Sequence, residues 1–446
     1  MPDRVVIIGG TAAGTKAAAT ARRRNPDLEI KVFQSGADVS YSACGMPYHL
    51  SDTVAVPRNF LVARTPEQFG RDGIDVHVGH KVEAIDTKKG EASITDLSSG
   101  KTWQEPFDQL MIATGGEPIQ PPIPMADDAP PVVTLRNLKD VDRIGELVPS
   151  AERVIIIGGG YIGLEMAETF HALGKKVTVA ELAPRLLPNF EENVASKVQI
   201  HLGGHGVDLR MGSGVAEITK AGVRLDSGEE IPGDLILMAI GMKPNTELAA
   251  SIGVKLGAGG AIETDDGQRT NIENVYAAGD CVLTHHRISN QLVWMPLGDV
   301  ANRQGRVAGE NMAGGDASFS GILGTAIFKV FDLAVATTGL SETQAKAAGF
   351  DAVSATINAP TRAKYMPTNR EIQLTLVAER ATARLLGAQA VGEDGVDKAI
   401  DTIAAGLWGN LTARDMAEID LAYAPPYSPV ISPVQVAAEV LRKKTG

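Results

Sequence analysis

The sequence predicts an α/β protein with two βαβ units and a separate C-terminal α+β domain. Three observations predict it. A buried-strand, glycine-turn, helix, strand pattern opens the chain; the same pattern recurs from Val154; and no such turn occurs beyond Gly321. The 446 residues suit about three domains at roughly 150 residues each. A composition of 44% hydrophobic and 22% charged residues is that of a soluble globular chain. Glycine (48) and proline (24) are plentiful and aromatics are only 4%, which points to tight turns and close backbone approaches. Against 42 Lys and Arg stand 54 Asp and Glu, a net charge of −12 that argues against nucleic acid or an anionic membrane as partner. Two cysteines exclude a disulfide-stapled scaffold and a cysteine-rich metal centre, and they fit a reducing cytosol. No apolar run reaches the ~18 residues of a membrane span, and the start Met-Pro-Asp-Arg carries no signal-peptide pattern.

The first unit begins with Val5-Val6-Ile7-Ile8, a continuous apolar run expected of a strand buried on both faces. Gly9-Gly10-Thr11-Ala12-Ala13-Gly14 forms the turn, and an alanine-rich helix runs to about Arg24, stopped by Asn25-Pro26. Leu28 to Phe33 is the next strand. The second unit repeats this order. Val154 to Ile157 is the strand, Gly158 to Gly163 the turn, a helix runs to about Leu173 with Gly174 beyond it, and Val177 to Ala180 leads into Glu181. Towards the C-terminus, Gly321 to Thr338 reads as strands. Ser341 to Gly349 reads as a short helix capped by Ser341, and Val396 to Trp408 as a longer one. The prolines of Ala424 to Pro429 forbid a regular helix there.

Phosphates are held by free backbone N–H groups at the positive end of a helix, and glycine lets a pyrophosphate approach closely. Gly158, Gly160 and Gly163 meet the full dinucleotide pattern, and Glu181 stands where an acid binds ribose hydroxyls. That favours NADH, while nearby Arg185 keeps NADPH open. The first turn is imperfect: Thr11 replaces the middle glycine and Gln34 stands at the acid position. Two further stretches support it, Ala113-Thr114-Gly115 after an apolar strand and Tyr276-Ala277-Ala278-Gly279-Asp280.

These four elements, in this order, resemble the FAD- and NAD(P)H-dependent two-dinucleotide-binding oxidoreductases over essentially the whole chain. The resemblance implies two Rossmann-like domains, for FAD and NAD(P), and a C-terminal dimerisation domain. The FAD domain is expected at 1–120 and 245–320, the NAD(P)H domain at 121–244 and the dimerisation domain at 321–446. The flavin contacts implied are Gly9, Thr11, Ala12, Gly14, Gln34, Ala113, Thr114, Gly115 and Gly279, with Asp280 on the ribityl chain. On the nicotinamide side, Tyr161, Ile162, Glu165 and Gly241 join Gly158, Gly160, Gly163 and Glu181.

Members with a dithiol carry a Cys-x4-Cys pair beside the flavin; this chain has only Cys44, in Ser42-Ala43-Cys44-Gly45-Met46-Pro47-Tyr48. That stretch and Leu421 to Val430 resemble the single-cysteine branch: coenzyme A-disulfide reductases, NAD(P)H persulfide reductases, NADH peroxidases and NADH oxidases. Cys44 is expected to open a helix whose dipole favours its thiolate. Cys281 is expected to pack beside the flavin turn. A lone redox cysteine must cycle through a mixed disulfide with a small thiol or through a sulfenic acid. The peroxidases and oxidases carry a histidine in the first turn where this chain has Ala12, which favours the thiol route. The resemblance implies catalytic tyrosines from the C-terminal domain, Tyr365 and Tyr427, with Tyr423 weaker, completing the site of a partner subunit in a homodimer. It implies coenzyme A contacts at Lys16, Arg23, Ser40 and Ser42; Arg22 reads as part of a solvated helix face, and Arg306 as a candidate no better than packing. The adjacent His285 and His286 are not read as a metal site. The expected activity is reduction of a CoA-type disulfide or persulfide. The alternatives are an oxygen- or peroxide-reducing enzyme and a low-turnover flavoprotein redox sensor. The rhodanese domain of some relatives has no counterpart up to Gly446, so any sulfur-transfer partner is expected to be a separate protein.

Overall fold

The computed structural model describes residues 3–51 and 56–445. Two parallel five-stranded sheets form its centre, and both follow the same plan. In the first, Arg4–Ile8 lies between Glu29–Gln34 and Gln109–Ile112; Ile74–Val78 and Val275–Ala277 form the edges. In the second, Arg153–Ile157 lies between Lys176–Glu181 and Leu235–Met238; Asp208–Met211 and Val132–Val133 form the edges. After their leading arginines the central strands are apolar because both faces are covered, one by helices and the other by antiparallel strands. The edge strand Val275–Ala277 reaches its sheet from far downstream, so the second sheet is enclosed within the chain of the first.

Each sheet carries a three-stranded antiparallel meander, His80–Pro106 in the first unit and Val215–Pro232 in the second. A short antiparallel pair, Gly116–Pro118 with Met242–Pro244, is the strap between the two units. The helices after the two glycine turns run over Ala12–Arg24 and Tyr161–Ala172, within a residue of the sequence expectation.

Beyond these lies an antiparallel five-stranded sheet in the order 326–330, 333–339, 385–392, 371–379, 352–360. Helices Val396–Trp408 and Pro433–Arg442 pack on it through Ile400, Ile403, Leu407, Val434 and Leu441. The first has the bounds its sequence predicts. The short helix Glu342–Ala347 begins, as expected, at Ser341, whose side chain accepts from Gln344 N while Gln344 returns the bond to Ser341 N. Ala424 to Pro429 forms neither helix nor strand, as its prolines require.

Candidate active site

A cavity of about 2240 Å³ is lined by residues of both glycine turns. A site for one small ligand occupies roughly 300–1,000 Å³, so this space suits more than one. The turns are built alike. Gly9 has φ 109° and Gly158 φ 111°, conformations closed to most L-residues. A Cβ on Gly9 would lie 2.1 Å from Ala113 O, and one on Gly158 2.4 Å from Ala239 O. The last glycine of each turn also has no room for a side chain: a Cβ on Gly14 would lie 1.9 Å from Gly9 O, and one on Gly163 2.1 Å from Gly158 O.

The side chain at the acid position braces each turn. Gln34 Oε1 accepts from Gly10 N at 2.8 Å, and Glu181 Oε2 from Gly159 N at 2.6 Å, with Oε1 taking Ala183 N at 2.7 Å. Glu181 lines the cavity; Gln34 stands behind its turn. Gly160 differs from its neighbours. No protein atom lies within 4 Å of a Cβ placed there, so its bareness leaves room on the cavity side.

The two helix N-termini at these turns have neither a side-chain cap nor an acidic residue in the first turn. Five other helices are closed by reciprocal capping boxes, at Thr65, Asn137, Ser341, Thr412 and Ser432. Uncapped ends facing a common cavity leave N–H donors for two anionic groups, which fits two dinucleotides. Ala113, Gly115, Gly279, Asp280, Tyr161, Ile162, Glu165 and Gly241 line the same space, as do Thr11 and Ala12. Thr114 sits behind it, donating to Asn245 O at 2.5 Å.

Cys44 is exposed on the cavity wall, with Ser40 and Ser42 nearby on the same wall. It lies in a single turn, Ala43–Gly45, ahead of the five-residue helix Met46–Leu50. The expected thiolate-favouring environment is not what the chain provides. Surrounding protein raises the Cys44 pKa above its ordinary value, and the carboxylates of Glu165 and Asp280 add to that; its own backbone bond and Arg136 act the other way. The helix is too short to supply a useful dipole, and the two carboxylates come from distant segments. Burial, then Glu168, pushes Glu165 up to about 7, against the pull of Lys329. Burial and these same two glutamates push Tyr48 up to about 12. Thr169 Oγ1 donates to Pro47 O at 3.2 Å and fixes the Cys44 helix to helix Tyr161–Ala172.

Lys16 and Arg23 share the cavity wall. Arg22 does not join them: its guanidinium bonds Leu28 O (2.7 Å), Gly73 O (2.6 Å) and Pro26 O. Arg306 pairs with Glu310, and Arg185 bonds Phe190 O (2.7 Å) and Pro188 O (3.3 Å) on its own loop. His285 bonds Asn290, and His286 is buried beside Leu323 O. Cys281 is fully buried, its thiol pushed up to about 11 by burial, 3.5 Å from Ala278 O.

Tyr365 and Tyr427 are each 74% exposed and neither lines the cavity, so one chain does not bring them to Cys44. Their loops adjoin, because Arg362 Nε donates to Pro426 O at 2.7 Å. Tyr423, Val430 and Ile431 are exposed along the same stretch.

Two cavity residues escape the sequence reading. Arg136 pairs with Asp280 at 3.1 Å and donates to Gly116 O at 2.9 Å; Trp294 Nε1 donates to Asp280 O at 2.7 Å. Neither belongs to a spaced motif, so only the fold brings them to Asp280.

Residues 3–305 match the pyridine nucleotide-disulphide oxidoreductase model, and residues 325–434 match that family's dimerisation domain. The chain belongs to this family. It is an FAD-dependent NAD(P)H oxidoreductase of the disulfide- and persulfide-reducing kind. A relative from Pyrococcus abyssi, an NAD(P)H sulfur oxidoreductase (CoA-dependent), is 40% identical over 98% of both chains. The structure of an NAD-dependent persulfide reductase from A. fulgidus superposes with a TM-score of 0.95 at 39% identity, over 99% of this chain and 83% of that one. An NADH oxidase from Methanocaldococcus jannaschii is 34% identical over 99% of both. No helix among the described residues is long and apolar enough to cross a membrane.

Proposed function

We propose that this enzyme uses NADH to reduce a coenzyme A disulfide or persulfide through Cys44. The observation that carries the reading is the placement of one exposed thiol on the wall of a cavity shared by two uncapped phosphate turns, with Lys16 and Arg23 on the same wall. The CoA-dependent sulfur reductase of Pyrococcus abyssi supports the acceptor class. Arg185, bonded to its own loop, and Glu181, turned to the cavity, support NADH over NADPH.

In this reading residues 1–120 with 245–320 hold FAD, 121–244 hold NADH and 321–446 form the dimer. Gly9, Thr11, Ala12, Gly14, Gln34, Ala113, Thr114, Gly115, Gly279 and Asp280 shape the flavin side. Gly158, Gly160, Tyr161, Ile162, Gly163, Glu165, Glu181 and Gly241 shape the nicotinamide side. FAD held by these residues would supply a two-electron relay between NADH and the cysteine. Cys44 attacks the acceptor sulfur as thiolate, giving a Cys44 mixed disulfide with coenzyme A and expelling a thiolate from the disulfide or hydrosulfide from the persulfide. Two electrons from such a relay would break that bond, and a proton would complete the coenzyme A thiol and leave Cys44 restored. Lys16 and Arg23 hold the phosphates of coenzyme A, with Ser40 and Ser42 beside the reacting sulfur. Glu165, poised near neutral pH, governs the thiolate fraction by its charge. Tyr365 and Tyr427, exposed on adjoining loops, stabilise the departing thiolate in the partner's site. The two unpaired cysteines support a cytosolic setting.

Steady-state NADH oxidation against coenzyme A disulfide, coenzyme A persulfide, oxygen and peroxide tests the reading. The CoA acceptors are expected to turn over fastest, and Tyr365→Phe with Tyr427→Phe to lower kcat on them. Rapid oxidation by oxygen or peroxide with no turnover of the CoA acceptors would overturn it and favour the sulfenate route.

A further inference from the structure

Three of the chain's eight histidines gather outside the lining of the glycine-turn cavity, where the second unit meets the C-terminal sheet. Helix Glu192–Gly204 presents His201, and His205 follows one turn later at its C-terminal end. Residues four apart on a helix lie on one face, the spacing at which paired histidines chelate metal. Opposite them is the two-residue turn between strands Ala326–Val330 and Leu333–Gly339, made by Phe331 and Asp332. Phe331 holds a left-handed conformation (φ 55°) and stacks on His205 at 4.0 Å between ring centres. Glu168 secures the turn, accepting from Phe331 N at 2.8 Å and pairing with Lys329.

This arrangement brings one ligand atom from each of His201, His205 and Asp332 within 4.8 Å of one another. We propose that these three residues bind a divalent transition-metal ion of the zinc class. The side-chain details match such a site. His205 Nδ1 lies 2.9 Å from His201 O, so it donates there and leaves Nε2 with its lone pair free; metal-bound histidines typically anchor their second nitrogen this way. His201 Nε2 is shut off from solvent and lacks a well-formed hydrogen bond, although Asp332 Oδ1 is only 2.6 Å away. Ligand atoms at 2.0–2.2 Å from a tetrahedral ion sit about 3.4 Å apart, so Asp332 must withdraw by under an ångström. It is free to do so, since its side chain is 60% exposed. Two imidazoles and a carboxylate suit zinc, cobalt or nickel rather than calcium or magnesium, with water completing the sphere. The ion joins a helix of the second unit to the C-terminal sheet. His171 rests edge-on to Phe331, its ring centre 6.4 Å from that of His205, and is not a ligand.

The test uses tag-free, flavin-loaded Cys44→Ser protein, which removes the exposed thiol as a competing ligand. Cobalt is titrated as a visible probe and displaced by zinc, and thermal unfolding is followed with and without zinc. One ion per chain is expected, with a rise in Tm on adding zinc, because the ion binds the folded state alone. His205→Gln and Asp332→Asn are each expected to weaken binding at least about tenfold and to abolish the Tm rise, while His171→Gln leaves both unchanged. Asp332→Asn keeps the test sound should loss of the His205–Phe331 stack harm folding. Absence of micromolar binding, or equal binding by the parent and both ligand variants, would overturn the proposal and leave His201 and Asp332 a plain ion pair.

Discussion

The two glycine turns share a backbone and differ in their side chains. Both start from a glycine with φ near 110°, both leave no space for a Cβ on their last glycine, and both are braced by a side-chain oxygen on the second amide. Yet the first has Thr11 where the second has Gly160, and Gln34 where the second has Glu181. The likeness shows that the cradle is a property of the strand–turn–helix crossing. The difference shows that ligand choice resides in the few side chains that reach the cavity. A neutral amide that holds one backbone N–H completes a turn. A carboxylate that holds two, and also faces the cavity, has lone pairs left for ribose hydroxyls.

The severest way to break the comparison is to add a methyl group at its shared point. Gly14→Ala and Gly163→Ala each place a Cβ about 2 Å from a carbonyl oxygen, an overpacking expected to cost about 3 kcal/mol locally. The losses are expected to differ. Gly14→Ala purifies with little flavin, whereas Gly163→Ala keeps its flavin absorbance but is no longer reduced by NADH. Loss of flavin from both would mean the cradles are not separate sites.

Exchanging the acid position sharpens the contrast. Glu181→Gln gives the second turn the chemistry of the first and is expected to raise the KM for NADH about tenfold, with flavin content unchanged. Gln34→Glu is expected to leave that KM where it was. Steady-state kinetics and flavin absorbance read both.

The third difference lies along the helices that follow the turns, since the second carries Glu165 into range of Cys44. A nearby negative charge disfavours the thiolate, so the rate of Cys44 alkylation is expected to rise with pH through a midpoint above the ordinary cysteine value. Glu165→Gln removes that charge and is expected to move the midpoint down. An unchanged or higher midpoint would mean that Glu165 does not act on the thiol. The smallest effect is expected at Gly160, where a Cβ meets no protein atom. Gly160→Ala is expected to leave Tm unaltered and to raise only the KM for NADH.

These contrasts also mark what the sequence could reveal. The strand–turn–helix–strand core of both units was legible because its signals are local: continuous apolar runs, glycines at fixed offsets, Asn25-Pro26 as a stop. So was the helix Val396–Trp408, through its apolar spacing. The environment of Cys44 was not legible. Glu165 reaches it from the other dinucleotide unit, and Asp280 from a late strand end, so the neighbours that set its protonation are adjacent only in the fold. Arg136 and Trp294 escape for the same reason. The tyrosines of the C-terminal tail carry a sequence signal, but a single chain leaves them exposed and away from the cavity.

The central claim is that Cys44 alone cycles through a mixed disulfide with a small thiol. Intact-protein mass spectrometry after incubation with coenzyme A disulfide tests it most directly. The account predicts a gain of one coenzyme A per chain, located at Cys44, absent from Cys44→Ser and removed by NADH with release of one thiol. Continued NADH-dependent reduction of coenzyme A disulfide by Cys44→Ser would contradict it, as would an adduct on Cys44 that NADH cannot remove.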